Sequence, residues 1–117
     1  MRIHAKRVYE EAAKSDGARF LVERLWPRGL KKEALAMEAW LKEVAPSGTL
    51  RAWFSHDPKK WAEFQRRYRA ELDARPEAWR PILDAARRRA VTLLYSSRDT
   101  EHNNAVALLA YLESKRE

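Results

Sequence analysis

The stretch that most constrains the fold is residues 91–112, VTLLYSSRDTEHNNAVALLAYL. Its first five residues are β-branched, aliphatic or aromatic without polar alternation, which is typical of a strand covered on both faces of a sheet. Residues 96–100 are polar and end the apolar run. Residues 105–112 are apolar all round, which favours a helix packed deep in the protein. We therefore expect a buried strand, a polar loop and a buried helix in direct succession.

A strand that ends in a polar loop and continues into a helix favours a functional site at the loop. The first turn of a helix has free backbone N–H groups and a partial positive charge, and both attract anions. In open α/β sheets, moreover, ligands bind beyond the carboxyl ends of the strands. The sequence predicts a site at this loop without naming a reaction.

The composition restricts the class of protein. A chain of 117 residues, 45% of them apolar, is expected to form one domain, residues 1–117, with a single core. The absence of cysteine excludes disulfides, thiolate catalysis and cysteine-ligated metal centres. No apolar run approaches the ~20 residues of a membrane-spanning helix, and the first residues lack the apolar region of a signal peptide. We expect a cytoplasmic protein with no membrane partner.

Two further strands are predicted in the first quarter of the chain. Residues 3–9 alternate and form a first strand, and residues 18–25 form an apolar, central second strand after the turn at Asp16 and Gly17. The connection is too short for an ordinary crossover helix. The two strands are therefore expected to pair, either as a long-turn hairpin or as a parallel pair joined by an irregular loop.

Helices are predicted for most of the rest. One begins at Lys31 and runs to Val44 by its apolar spacing, and Ser47 is expected to cap a short helix. Asp57 with Pro58 starts another helix, and Pro76 a further one. The predicted fold is α/β, with a small, mainly three-stranded sheet, about five flanking helices and a site at the carboxyl ends of the strands.

Three segments resemble the YeaO-like branch of the domain-of-unknown-function 488 family: DGARFLVERLWPRGL, LKEVAPSGTLRAWFSHDPKKWAEFQRRYRAEL and TLLYSSRDTEHNNAVALLAYL. The resemblance covers nearly the whole chain and implies a small cytoplasmic α/β protein, without an established reaction. Longer members carry a Cys-His-Arg signature near the last strand, of which only His102 has a counterpart here. The resemblance implies these motif residues: Asp16, Gly17, Arg24, Trp26, Pro27, Arg28, Gly29, Trp53, His56, Trp61, Tyr68, Tyr95, Asp99, His102 and Asn103.

The polar residues after the second and last strands form a hypothetical pocket for a small anionic ligand of an enzyme or sensor. Arg24 and Arg28 suit it because guanidinium groups bind oxyanions in a bidentate manner. The candidate acid–base residues are His102, Asp99 and His56. Further candidate ligand-binding residues are Trp26, Tyr95 and Asn103. Structural alternatives are a core position for Trp26, helix capping by Asp99 or Thr100, and an ion pair of Arg24 with Glu23 or Asp99.

Two other functional classes stay open. The net charge of +7 also suits nucleic acid, and the arginines for that surface are Arg66, Arg67, Arg69, Arg87, Arg88 and Arg89. Interspersed glutamates and the absence of a known nucleic-acid motif rank this second. A metal site would use His56, Asp57, Asp99 and His102, although their spacing fits no compact metal motif. No metal ligand set, cofactor or oligomeric state is assigned from the sequence.

Overall fold

The fold is built on a parallel sheet of four strands, seen in a computed structural model that describes residues 2–115. The strands are β1 (Ile3–Arg7), β2 (Ala18–Leu21), β3 (Ala39–Trp40) and β4 (Val91–Tyr95). The helices are α1 (Gly48–Phe54), α2 (Trp61–Asp73), α3 (Pro76–Ala86) and α4 (Asn104–Lys115). The α/β class with a small sheet is confirmed. Four strands and four α-helices replace the expected three main strands and about five helices.

Strand β4 lies inside the sheet, whose order is β1-β4-β2-β3. Val91 pairs with Ile3 on one side and with Ala18 on the other. Every residue of β4 is buried, as the unbroken apolar run predicts. The expected pairing of the first two strands is wrong: β1 and β2 run parallel, but β4, the more apolar strand, lies between them.

All four helices contribute to one apolar cluster on a single face of the sheet. Phe20 of β2 and Leu93 of β4 point into this cluster, and their neighbours Leu21 and Leu94 belong to a second one. Successive side chains of a strand point to opposite faces, so the second cluster lies on the other face. Two predicted helix starts are confirmed: Ser47 caps α1, and Asp57 caps the 3-10 turn that leads into α2.

The second face is covered by an irregular segment instead of a helix. The predicted helix from Lys31 to Val44 is wrong: the segment forms two 3-10 turns with β3 between them. The Leu41 N–H donates to the Leu21 carbonyl at 2.8 Å, and the Trp40 ring packs edge-on against Trp26 at 5.3 Å between centroids. Pairing with β2 and partial burial of both indoles therefore override the local helical spacing.

Across residues 2–115, no helix combines the length and apolar character needed to cross a membrane.

Candidate functional site

A cavity of about 560 Å³ opens at the carboxyl ends of β2 and β4. Its walls come from the end of β2, the segment before α1, helices α1 and α2, and the loop between β4 and α4. The lining residues are Glu23, Arg24, Ala45, Pro46, Arg51, Phe54, His56, Phe64, Ser96, Ser97, Arg98, Asp99, His102, Asn103 and Asn104. This is the location that the strand–loop–helix pattern predicts, and the size is typical of small-molecule pockets.

Glu23 and Arg24 are held rigidly where the chain leaves β2. The Glu23 carboxylate accepts a hydrogen bond from the Ser96 N–H at 3.1 Å, which joins the ends of β2 and β4. Burial raises the pKa of Glu23, against the effects of this hydrogen bond and of the Arg51 charge. Arg24 donates from Nε to the Pro46 carbonyl at 3.2 Å and from Nη2 to the Ala45 carbonyl at 3.1 Å. Its guanidinium group is thereby oriented before any ligand arrives.

Asp99 organises the loop before α4. Its Oδ1 accepts the N–H groups of Glu101 and His102, both at 2.9 Å, and its Oδ2 lies 3.0 Å from His102 Nδ1. The two backbone N–H groups, followed by the His102 side chain, lower the pKa of Asp99. The His102 ring also meets Trp61 edge-on at 5.3 Å between centroids. The carboxylate and the indole together fix the orientation of the imidazole at the cavity.

Asn103 begins helix α4. Its Oδ1 accepts the Val106 N–H at 2.9 Å, and its Nδ2 donates to the Asp99 carbonyl at 2.9 Å. Asn103, instead of Asp99 or Thr100, is therefore the residue that caps the helix. The next residue, Asn104, donates from its side chain to the Val22 carbonyl at 2.6 Å, so that the start of α4 is tied to β2.

Two of the arginines that line the cavity, Arg51 and Arg98, are not predicted from the sequence. Arg51 lies on α1 between the buried Leu50 and the inward-facing Phe54, at a position that reads as a solvated face. Arg98 lies in the polar loop that follows β4. The carboxyl-end rule could have identified Arg98, but Arg51 is brought to the cavity only by the packing of α1 beside the sheet.

Five predicted site residues line the cavity: Arg24, His56, Asp99, His102 and Asn103. His56 is exposed and has a φ of 56°, next to Ser55 with 46°. These two left-handed conformations turn the chain out of α1 and place the His56 ring 6.4 Å from that of Phe54.

Three predicted site residues lie elsewhere. Trp26 packs in the second-face cluster, Tyr95 is buried in the main core, and Arg28 is exposed with its carbonyl accepting the Tyr9 hydroxyl. Arg28 does not line the cavity that Arg24, Asp99 and His102 line, so the structure does not bring these four predicted residues together. The expected ion pair between Arg24 and Asp99 is also wrong, since Arg24 binds backbone carbonyls and Asp99 binds His102.

The described residues give less support to a metal site and to a nucleic-acid surface. Within residues 2–115, no three His, Asp or Glu side chains cluster so that they could hold a metal ion. Several arginines of the proposed nucleic-acid surface are in surface ion pairs. These pairs are Arg66 and Arg67 with Glu63, Arg87 with Asp84, and Arg89 with Glu38.

Comparison with known proteins identifies the family. The chain is 44% identical to the uncharacterised protein YeaO of Escherichia coli K12 over 97% of its own length and 99% of that protein. It is 35% identical to the uncharacterised protein Rv3073c of Mycobacterium tuberculosis H37Rv over 97% and 96% of the two chains. No solved structure matches the chain significantly. A family model described as the inactive DUF488-N3 subclade matches residues 2–117, and the chain therefore belongs to that subclade of the DUF488 proteins.

Proposed function

We propose that this protein binds a small anion in the cavity beyond β2 and β4, and that it acts as a cytoplasmic, single-domain binding or sensing protein. The observation that carries the proposal is that Arg24, Arg51 and Arg98 line one cavity. Guanidinium groups form charge-assisted, bidentate hydrogen bonds with carboxylates and phosphates.

The state of these arginines supports a ligand more than a structural role. Among residues 2–115, the side chains of Arg51 and Arg98 donate no hydrogen bond, and Arg24 retains an unused terminal nitrogen. The two carboxylates of the cavity, Glu23 and Asp99, already accept backbone N–H groups. The donors that remain are therefore available to an incoming oxyanion, beside the first turn of α4.

Binding is favoured over catalysis by two considerations. The subclade is described as inactive, and the chain has no cysteine for the position at which longer relatives carry one. His102, oriented by Asp99, then serves as a hydrogen-bonding partner of the anion.

Calorimetric titration with inorganic phosphate at low ionic strength tests the proposal. We expect saturable binding with one site per chain. Arg51→Gln should weaken it by about 10- to 100-fold, because a hydrogen bond to a charged group contributes ~1.5–3 kcal/mol. Arg51 is exposed, so the free energy of unfolding should change little.

Arg80→Gln is the matched control, since Arg80 is an exposed helical arginine that does not line the cavity. It should leave the affinity for phosphate unchanged. Absence of saturable binding to the unmodified protein, or equal weakening by both substitutions, would show that the cavity is not an anion site.

A further inference from the structure

The cavity has an apolar wall that an inorganic anion would leave uncovered. Phe54 and Phe64 stack with their ring centroids 4.3 Å apart, and Ala45 and Pro46 line the same cavity. All four residues are buried and all line the cavity. We refer to Ala45, Pro46, Phe54 and Phe64 as the apolar wall.

The cavity is also larger than an inorganic anion would fill. About 560 Å³ is within the range of pockets that enclose organic molecules, and it holds many times the ~30 Å³ that one water molecule occupies. A phosphate ion bound at Arg51 and Arg98 would leave most of this space to water. Water against an apolar wall makes few hydrogen bonds to the protein, and an apolar ligand group that replaces such poorly ordered water gains affinity.

Resting on the proposed anion site, we infer that the ligand is an organic oxyanion with an apolar, preferably aromatic, body that lies against the apolar wall while its charged group meets Arg24, Arg51 and Arg98. Recognition then has two parts. The arginines and the start of α4 bind the charge, and the apolar wall selects for the body attached to it. Flat rings suit this wall because aromatic groups pack well against a stacked pair of phenylalanines.

The charged part of the ligand defines a class and not one compound. A phosphomonoester and a carboxylate both present the oxygen atoms that guanidinium groups bind in a bidentate manner. Phenyl phosphate is a suitable probe because it joins the charge of inorganic phosphate to a single aromatic ring.

The experiment compares inorganic phosphate, methyl phosphate and phenyl phosphate by calorimetry on the same preparation. We expect phenyl phosphate to bind at least tenfold more tightly than inorganic phosphate, with methyl phosphate closer to the latter. Arg51→Gln should weaken the binding of all three. Phe54→Leu should reduce the advantage of phenyl phosphate and leave the affinity for inorganic phosphate nearly unchanged.

Phe20→Leu is the matched control, because Phe20 is a buried phenylalanine of the same core that does not line the cavity. It should preserve the tenfold advantage. Equal affinities for phosphate and phenyl phosphate would overturn the inference while leaving the anion site intact. Tighter binding of phenyl phosphate that changes with neither Arg51→Gln nor Phe54→Leu would also overturn the inference. If none of the three compounds binds, the proposed function itself fails.

Discussion

At the residue scale, Gly17 has the least room for a side chain among the three glycines, Gly17, Gly29 and Gly48. Its φ is 65°, in the left-handed region that residues with a Cβ rarely adopt. A Cβ added there would lie 2.0 Å from the Ala90 carbonyl oxygen, which accepts the Ala18 N–H at 2.9 Å. Gly17 thus lets β2 begin in direct contact with the residue before β4.

Gly17→Ala is therefore expected to reduce the free energy of unfolding by ~2–5 kcal/mol, which combines ~1–2 for the left-handed backbone with ~1–3 for the steric overlap. Gly29→Ala is the control, since Gly29 has a φ of 77° but nothing within 4 Å of its added Cβ. It should cost only the backbone contribution of ~1–2 kcal/mol. Urea unfolding of both variants measures the difference, and equal losses would mean that the overlap at Gly17 relaxes freely.

At the scale of elements, a buried ionic cluster connects the three longer strands. Asp16, which is 7% exposed, accepts hydrogen bonds from Lys6 of β1 at 3.1 Å and from Arg19 of β2. Thr92 of β4 donates from its hydroxyl to the Asp16 carbonyl at 2.8 Å. Because β1 and β2 are separated by β4, Asp16 joins strands that share no backbone ladder.

Asp16→Asn should cost ~3–5 kcal/mol at neutral pH, because it leaves the buried Arg19 charge uncompensated. Burial opposes ionisation of Asp16, but the Ala13 N–H, Lys6 and Arg19 hold its pKa below the ordinary value. A carboxyl group with a lowered folded-state pKa stabilises the protein above its unfolded-state pKa. This stabilisation is lost as the pH falls through the folded-state pKa.

Urea unfolding between pH 7 and about pH 3, around the ordinary carboxyl range, checks both expectations. The unmodified protein should lose stability toward acid more steeply than Asp16→Asn. Asp84→Asn is the control, since Asp84 pairs with Arg87 on the surface and should contribute ~0–1 kcal/mol. A loss at neutral pH no larger than that of the control would show that the cluster does not stabilise the sheet.

At the scale of the whole molecule, the sequence predicts the elements that are defined by burial better than their arrangement. The apolar run of β4 and the start of α4 beside a polar loop are both readable, because burial on all sides leaves an unmistakable composition. The insertion of β4 between β1 and β2 is not readable, since no local pattern encodes strand order. The helical spacing around Leu35 and Trp40 wrongly predicts a helix, because the pairing of this segment with β2 is a tertiary effect.

The candidate site shows the same division. His102, Asp99 and Arg24 were predicted because strand ends meet at one edge of a parallel sheet. Arg28 lies outside the cavity. The path of the chain after β2, where Trp26 packs against Trp40, depends on tertiary contacts that no local pattern encodes. Arg51 was missed because its helix reaches the cavity only through the assembled core.

The distribution of the net charge of +7 leads to the last prediction. If anion binding is concentrated in the cavity, the arginines at the end of α3 should not contribute to it. Arg87→Gln combined with Arg88→Gln should leave the affinity for phenyl phosphate within about twofold of the unmodified value, since an exposed charge beyond the ~8 Å Debye length is screened at physiological salt.

The same double variant distinguishes the nucleic-acid hypothesis. Neutralising six phosphates of a duplex would give a slope near −5 for log affinity against log salt, from ~0.9 per phosphate. We expect duplex binding that is weaker than the micromolar range at physiological salt, because Arg66, Arg67 and Arg87 are already paired with carboxylates. Filter binding at two salt concentrations measures the slope. Micromolar duplex binding with the steep slope, weakened by the double substitution, would replace the cavity by the helical surface as the functional site.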